Sequence, residues 1–192
     1  MAVPQAVLDF WFGRPGQPEY GQQRAEWFVK NPAFDARIRA LFQPTVEAAL
    51  DGSLADWAAT PAGALALIVV LDQFPRNLFR GEARAFAGDP QARAVAREMV
   101  DAGLDRQLSP VQRVFAYLPF EHSEDMADQD RSVALFSAMA EATPGFEETL
   151  DYARRHREVI ARFGRFPHRN AALGRTSTAD EVAYLAQPGA GF

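Results

Sequence analysis

The chain contains no cysteine. Disulfides, thiolate nucleophiles and cysteine-ligated zinc are excluded at once. Lysine is almost as scarce: nineteen of the twenty basic residues are arginine, and Lys30 stands alone. That skew is first a mark of a GC-rich coding sequence and assigns no function. Long apolar runs are missing too. The longest, Ala62 to Leu71 with Gly63 inside it, is about half a membrane span, so no membrane span is expected. The start, MAVPQAVLDFWFG, has neither a basic segment nor a long apolar stretch, and it does not read as a signal peptide. Together these absences set the expectation of a soluble, cytoplasmic protein. There is no G-x-S-x-G elbow, no P-loop and no G-x-G-x-x-G. A net charge of -5 argues against broad nucleic-acid binding.

What is present is apolar bulk and helical punctuation. Fifteen Phe and three Trp in 192 residues can fill a large core, and a single helical domain over 1–192 is the simplest expectation. Thr60-Pro61 reads as N-cap and first helical residue. The helix they open should run to about Phe74. It is apolar nearly all round through Leu65, Leu67, Ile68, Val69, Val70 and Leu71, and is therefore expected to be central and buried. Val69-Val70 would also permit a buried strand; length and the Thr-Pro start favour the helix. Pro75 should end it.

Asp89-Pro90 opens the next helix, which Gly103 stops. Ser109 to Gln112 is a capping box with proline at its first position, and that helix should run until Pro119. Ser123, followed by Glu124 and Asp125, is expected to start another. Thr143-Pro144 should open the longest, ending at Gly164. Thr178 to Glu181 is a second capping box, and Pro188-Gly189 closes the last helix. Asn31-Pro32 and Pro44 frame an earlier one, with a kink or a break at Pro44. Residues 13–21 read as a loop and 188–192 as a frayed tail. No alternating strand pattern of useful length occurs. The expected fold class is all-α, a multi-helix bundle or array.

Charge is segregated. From Pro119 to Asp151 there are nine acids and one base, Arg131; from Tyr152 to Arg175 there are seven arginines and one acid, Glu158. Opposed blocks of this kind should face one another. We therefore expect EHSED (Glu121 to Asp125) to touch RFPHRN (Arg165 to Asn170), with Glu121, Glu124 or Asp125 paired to Arg165 or Arg169. Polar groups also crowd LDQFPRN (Leu71 to Asn77), whose Gln-Phe-Pro-Arg-Asn nearly repeats the later word. Both copies should stop a buried helix. The Arg-Asn that follows each proline is surplus to that task and points to a polar cleft. Burial of such groups is tolerated only if they pair with each other or with a ligand.

The three histidines, His122, His156 and His168, have no tight ligand spacing, so no metal site and no cofactor are expected. His156 falls between Ala153 and Ile160 at helical spacing and should point to the core edge. Ser123 beside His122 is better explained as a helix cap than as a nucleophile.

The words LDQFPRN, YLPFEHSED and RFGRFPHRN, with VLDFWFG near the start, resemble the bacterial domain of unknown function 924 family over nearly the whole chain. The resemblance implies a tetratricopeptide-like all-α fold and supplies no reaction and no catalytic residues. The tetratricopeptide W-x2-L-G-x2-Y signature is absent, so fold analogy alone implies no peptide binding.

Three functions fit these residues. The first is binding of a small anionic ligand, or of an acidic or C-terminal peptide, in a cleft lined by Asp72, Arg76, Asn77, Glu121, His122, His156, Arg165, His168, Arg169 and Asn170. In it arginine forks would receive a carboxylate or phosphate. The second is a hydrolase or lyase in which Glu121 and His122 act as base and acid. The third is a protein-interaction scaffold whose polar network is structural.

Overall fold

Five helices begin on a side-chain cap, and three of those caps are followed by proline. A computed structural model describes residues 1–191, and among them there is no strand. Asn31 accepts from the N–H groups of Ala33 and Phe34, and Thr60 from Gly63 at 3.1 Å. The proline after each supplies a helical φ where no N–H is needed. The Ser109–Gln112 box closes in both directions, at 3.0 and 3.4 Å. So does the Thr178–Glu181 box.

The described residues gather into two compact units. The first comprises Met1–Arg80 and Arg84–Pro119; the second comprises Gly81–Ala83 and Phe120 onward. The first unit holds α1 (Pro4–Phe12), α2 (Pro32–Leu50), α3 (Pro61–Ile68), α4 (Phe74–Leu78), α5 (Asp89–Asp101) and all but the end of α6 (Pro110–Glu121). Its core is aromatic. Trp11 lies 6.0 Å from Trp27 and 5.6 Å from both Phe74 and Phe115, ring centre to ring centre. The Ala64–Leu71 stretch is buried on every side, as expected of a central helix.

Several expected helix ends move. Pro75 does not stop its helix. The turn before it, Val69–Gln73, widens to a π-turn, with the Phe74 N–H bonded to Val69 O, and α4 continues through the proline. A proline ring clashes with the carbonyl four residues back, here that of Leu71, and one wide turn relieves the clash. Gly88 packs on that same carbonyl so closely that a Cβ would lie 2.2 Å from the Leu71 oxygen. Likewise α2 runs uninterrupted through Pro44 and α6 through Pro119. Buried neighbours on either side, among them Phe42, Thr45, Leu118 and Phe120, favour continuing the helix over ending it.

The second unit holds α7 (Met126–Ala142), α8 (Glu147–Phe163), a 3-10 turn at Pro167–Arg169 and α9 (Ala179–Leu185). The cap of α7 is Asp125, which accepts from Ala127 and Asp128, and not Ser123. Thr143-Pro144 lies in the connection after α7, and α8 begins only at Glu147. Gly164 ends α8 at φ 69°, a left-handed conformation natural to glycine. α7 packs along α8, burying Phe136, Met139, Ala153 and Ile160. Of the tail expected to fray, 188–191 form turns and Phe192 lies outside the described residues.

Candidate functional site

The two FP-Arg words take up different partners. In the first unit, Arg76 donates two hydrogen bonds to Asp89, at 2.7 and 3.0 Å, and one to the Asp72 carbonyl at 2.6 Å. It also lies 3.2 Å from Asp72 Oδ1, and Gln73 donates to the other Asp72 oxygen at 2.6 Å. Burial works against the guanidinium, but Asp72 and Asp89 outweigh it and raise its pKa further. Asn77 donates to Asp35 at 2.7 Å, and Arg80 clamps the same carboxylate with two bonds. Asp72, Arg76 and Asn77 thus belong to an ion-pair lattice that ties α2, the π-turn, α4 and α5 together.

In the second unit the three histidines converge, which spacing could not foretell. Glu121 ends α6, His122 follows it, His156 comes from the middle of α8, and His168 and Arg169 come from the 3-10 turn. The His122 and His156 rings are 6.3 Å apart. Phe166 stands 5.6 Å from His156, edge to face, and 5.5 Å from His168. The Arg169 guanidinium lies 4.6 Å over the Phe166 ring and donates to the His122 carbonyl at 2.9 Å. His156 Nδ1 sits 2.8 Å from the Tyr152 carbonyl oxygen and 3.2 Å from Glu121 Oε1. Glu121, His156 and Arg169 are buried, while His122 and His168 are half-buried. Burial first, and then the charges of His122, His168 and Arg169, push the His156 pKa well below its ordinary value, leaving the ring neutral.

EHSED and RFPHRN are in contact, as the opposed charge blocks predict. Glu124 feels the charge of Arg169, and Arg165 that of Glu124; their shortest ion pairs bring in partners from outside the two words. Glu124 pairs with Arg175, at 2.7 and 3.0 Å, and Arg165 pairs with Glu181, at 2.6 and 2.8 Å. The first pair also pins both backbone groups of Phe166. Glu124 accepts from its N–H at 2.8 Å, and Arg175 donates to its carbonyl at 3.1 Å. Asn170 donates to Ser177 and Glu181 and accepts from Arg175. Arg165 and Asn170 therefore brace the segment that carries His168 and Arg169. Arg175 and Glu181 were legible only as a member of the basic block and as the third helical position of a capping box. Ser123 is buried, donates to Asp128 at 2.8 Å and accepts from the Asp125 N–H at 3.2 Å, a bracing role.

Glu181 titrates accordingly. The hydrogen bonds from Arg165 and then from the Thr178 N–H lower its pKa from 4.5 to about 2. A lowered carboxylate pKa stabilises the fold fully above the unfolded value and loses that contribution as pH falls through the folded one. Acid unfolding followed by circular dichroism should steepen between about pH 4.5 and about pH 2. Glu181→Gln should flatten that part of the curve, and an unchanged curve would contradict the pairing.

One pocket of ≈ 270 Å³ opens elsewhere on the second unit, lined by Arg155, Val159, Arg162, Phe163 and Tyr184 with the 187–190 segment. The histidine cluster does not line it. Among the described residues no group of three or more His, Asp or Glu side chains has a geometry that could hold a metal ion, and no helix is long and apolar enough to cross a membrane.

A family described as bacterial protein of unknown function (DUF924) matches residues 7–189. A solved structure of a protein of unknown function from Agrobacterium tumefaciens is similar to this chain. The two are 39% identical with a TM-score of 0.82, over 95% of this chain and 96% of that one. No curated protein matches the chain.

Proposed function

We propose that this chain, which belongs to the DUF924 family of bacterial proteins of unknown function, binds a small anion at His122, His168 and Arg169 in the unit from Phe120 onward. The observation that carries this reading is the gathering of the His156 and His168 imidazoles and the Arg169 guanidinium around Phe166, with His122 and Glu121 beside His156. Guanidinium forks and imidazole N–H groups are the donors that carboxylates and phosphates use. Arg169 is fixed by the Phe166 face and by the His122 carbonyl, so little side-chain freedom would be lost on binding. The half-buried His122 and His168 connect the cluster to solvent. An acidic or C-terminal peptide would present the same carboxylate chemistry. Pairing of α7 with α8 through the connection 143–146 supports the finer description of a tetratricopeptide-like array.

Thermal melting tests the reading. A ligand that binds only the folded state stabilises it by about 2.7 kcal/mol at a hundredfold excess over Kd. Phosphate or a dicarboxylate should raise the Tm of the wild type and leave that of Arg169→Ala unchanged. Equal shifts in both proteins, or none in either, would favour a scaffold whose polar network is structural. A hydrolase or lyase is the second reading, and one observation favours it: Glu121 is paired with an imidazole, that of His156, where the sequence suggested His122.

A further inference from the structure

The His156 ring carries a record of where its proton sits. Nδ1 faces two oxygens at once, the Tyr152 carbonyl at 2.8 Å and Glu121 Oε1 at 3.2 Å. Carbonyl and carboxylate oxygens only accept hydrogen bonds. A bare nitrogen lone pair aimed at both would be repelled, so Nδ1 bears the hydrogen. In a neutral imidazole the basic atom is then Nε2, on the other edge of the ring. A carboxylate at Nδ1–H fixes that tautomer and stabilises the imidazolium formed when Nε2 takes up a proton. Tyr152 lies one turn earlier on α8, so the helix that carries His156 also supplies half of this orientation.

We propose that His156 Nε2 is the proton acceptor of the anion site and that Glu121 is its positioning residue. The proposal rests on the anion-binding reading above. An oxyanion arriving beside His122, His168 and Arg169 offsets the positive charge that disfavours an imidazolium at His156, so binding and protonation are coupled. For a ligand that enters as an acid phosphate or carboxylic acid, the O–H bond breaks and its electron pair stays on the ligand oxygen. The N–H bond forms at Nε2, leaving a more highly charged anion beside an imidazolium. For an anion without a proton, such as sulfate, the proton comes from solvent.

The charges acting on the ring come from His122, His168 and Arg169, with Glu121 at Nδ1 and the Glu124–Arg175 pair on the backbone of Phe166. The end of α6 and the residue after it present Glu121 and His122. The 3-10 turn presents His168 and Arg169. On α7, Asp128 is bonded to Ser123 and Arg131 lies 4.8 Å over Phe120. On α9, Glu181 is bonded to Arg165. A neutral His156, favoured first by burial, is the starting state the coupling needs.

Two measurements test this on the full chain. Nitrogen-15 NMR of the anion-free protein should show His156 protonated at Nδ1 and bare at Nε2; a proton on Nε2 would overturn the proposal without any variant. Calorimetric titration with sulfate, in two buffers of different ionisation enthalpy near neutral pH, should show uptake of about one proton per anion. His156→Gln should bind sulfate with uptake near zero, and Glu121→Gln should bind it with reduced uptake. Undiminished uptake in His156→Gln would make His122 or His168 the acceptor and overturn the assignment. Sulfate binding without proton uptake in the wild type sinks this inference alone. If no anion binds, the anion-binding reading falls and this inference falls with it.

Discussion

Replacing Gly88 by alanine should be among the most damaging small changes in the chain. Its Cβ would lie 2.2 Å from the Leu71 carbonyl oxygen and 2.9 Å from the carbonyl carbon. Both are backbone atoms of the π-turn, and the surrounding residues of that turn are buried. No rotamer change can relieve the clash, so either α5 must retreat or the π-turn must rewind. Overpacking a tight site costs about 1 to 3 kcal/mol, and more where the obstacle is rigid. We expect a loss of about 3 kcal/mol or more by denaturant unfolding. A loss under about 0.5 kcal/mol, the size of an ordinary surface change, would mean that α5 and the π-turn do not approach as described.

Glu124 and Arg175 should show the second large effect. Their side chains are 28% and 22% exposed, so neither charge is fully solvated. Burial works against the Glu124 carboxylate, yet the bonds from Arg175 and from the Phe166 N–H hold its pKa below the ordinary value. Removing one member of a buried pair costs about 3 to 5 kcal/mol. With a quarter of each side chain still wet, we expect about 2 kcal/mol for Glu124→Ala, and a similar loss for Arg175→Ala, which also leaves Asn170 and the Phe166 carbonyl without its bonds. In a double-mutant cycle the two should couple by about 1 to 2 kcal/mol. Additive losses would show that each residue acts independently of the other. Because the pair pins the backbone of Phe166, both variants should also weaken whatever the histidine cluster holds.

Caps were legible wherever the capping group and its target lie within one turn. Asn31, Thr60, Ser109 and Thr178 behave as their neighbours in sequence require, and glycine ends the helices at Gly103 and Gly164. Prolines misled where burial competes with local preference. At Pro75 the chain keeps Phe74, Pro75 and Leu78 buried by widening one turn, and the sequence carries no mark of a π-turn. Ser123 and Asp125 are both capping residues two positions apart, and only the burial of Ser123 against Asp128 decides between them. The site divides the same way. Two blocks of opposite charge announce that they meet, but a long side chain can choose any partner within reach. Hence contact between the two words was foreseeable, while Arg175 as partner of Glu124 was not. The meeting of His122, His156 and His168 depends on how the end of α6, α8 and the 3-10 turn are brought together, and no spacing encodes that.

Glu181 has one further consequence. Its carboxylate closes the capping box of α9, pairs with Arg165 and receives Asn170. A helix of seven residues is too short to persist alone, since short helices are marginal in water. α9 therefore has no independent existence: it is present only while the 165–178 segment is ordered, and that segment loses one of its anchors, the other being Glu124, when α9 melts. Melting of α9 should therefore loosen the segment, a local opening below the threshold of global unfolding. His168 and Arg169 ride on that segment, so the histidine cluster is exposed to the same local opening.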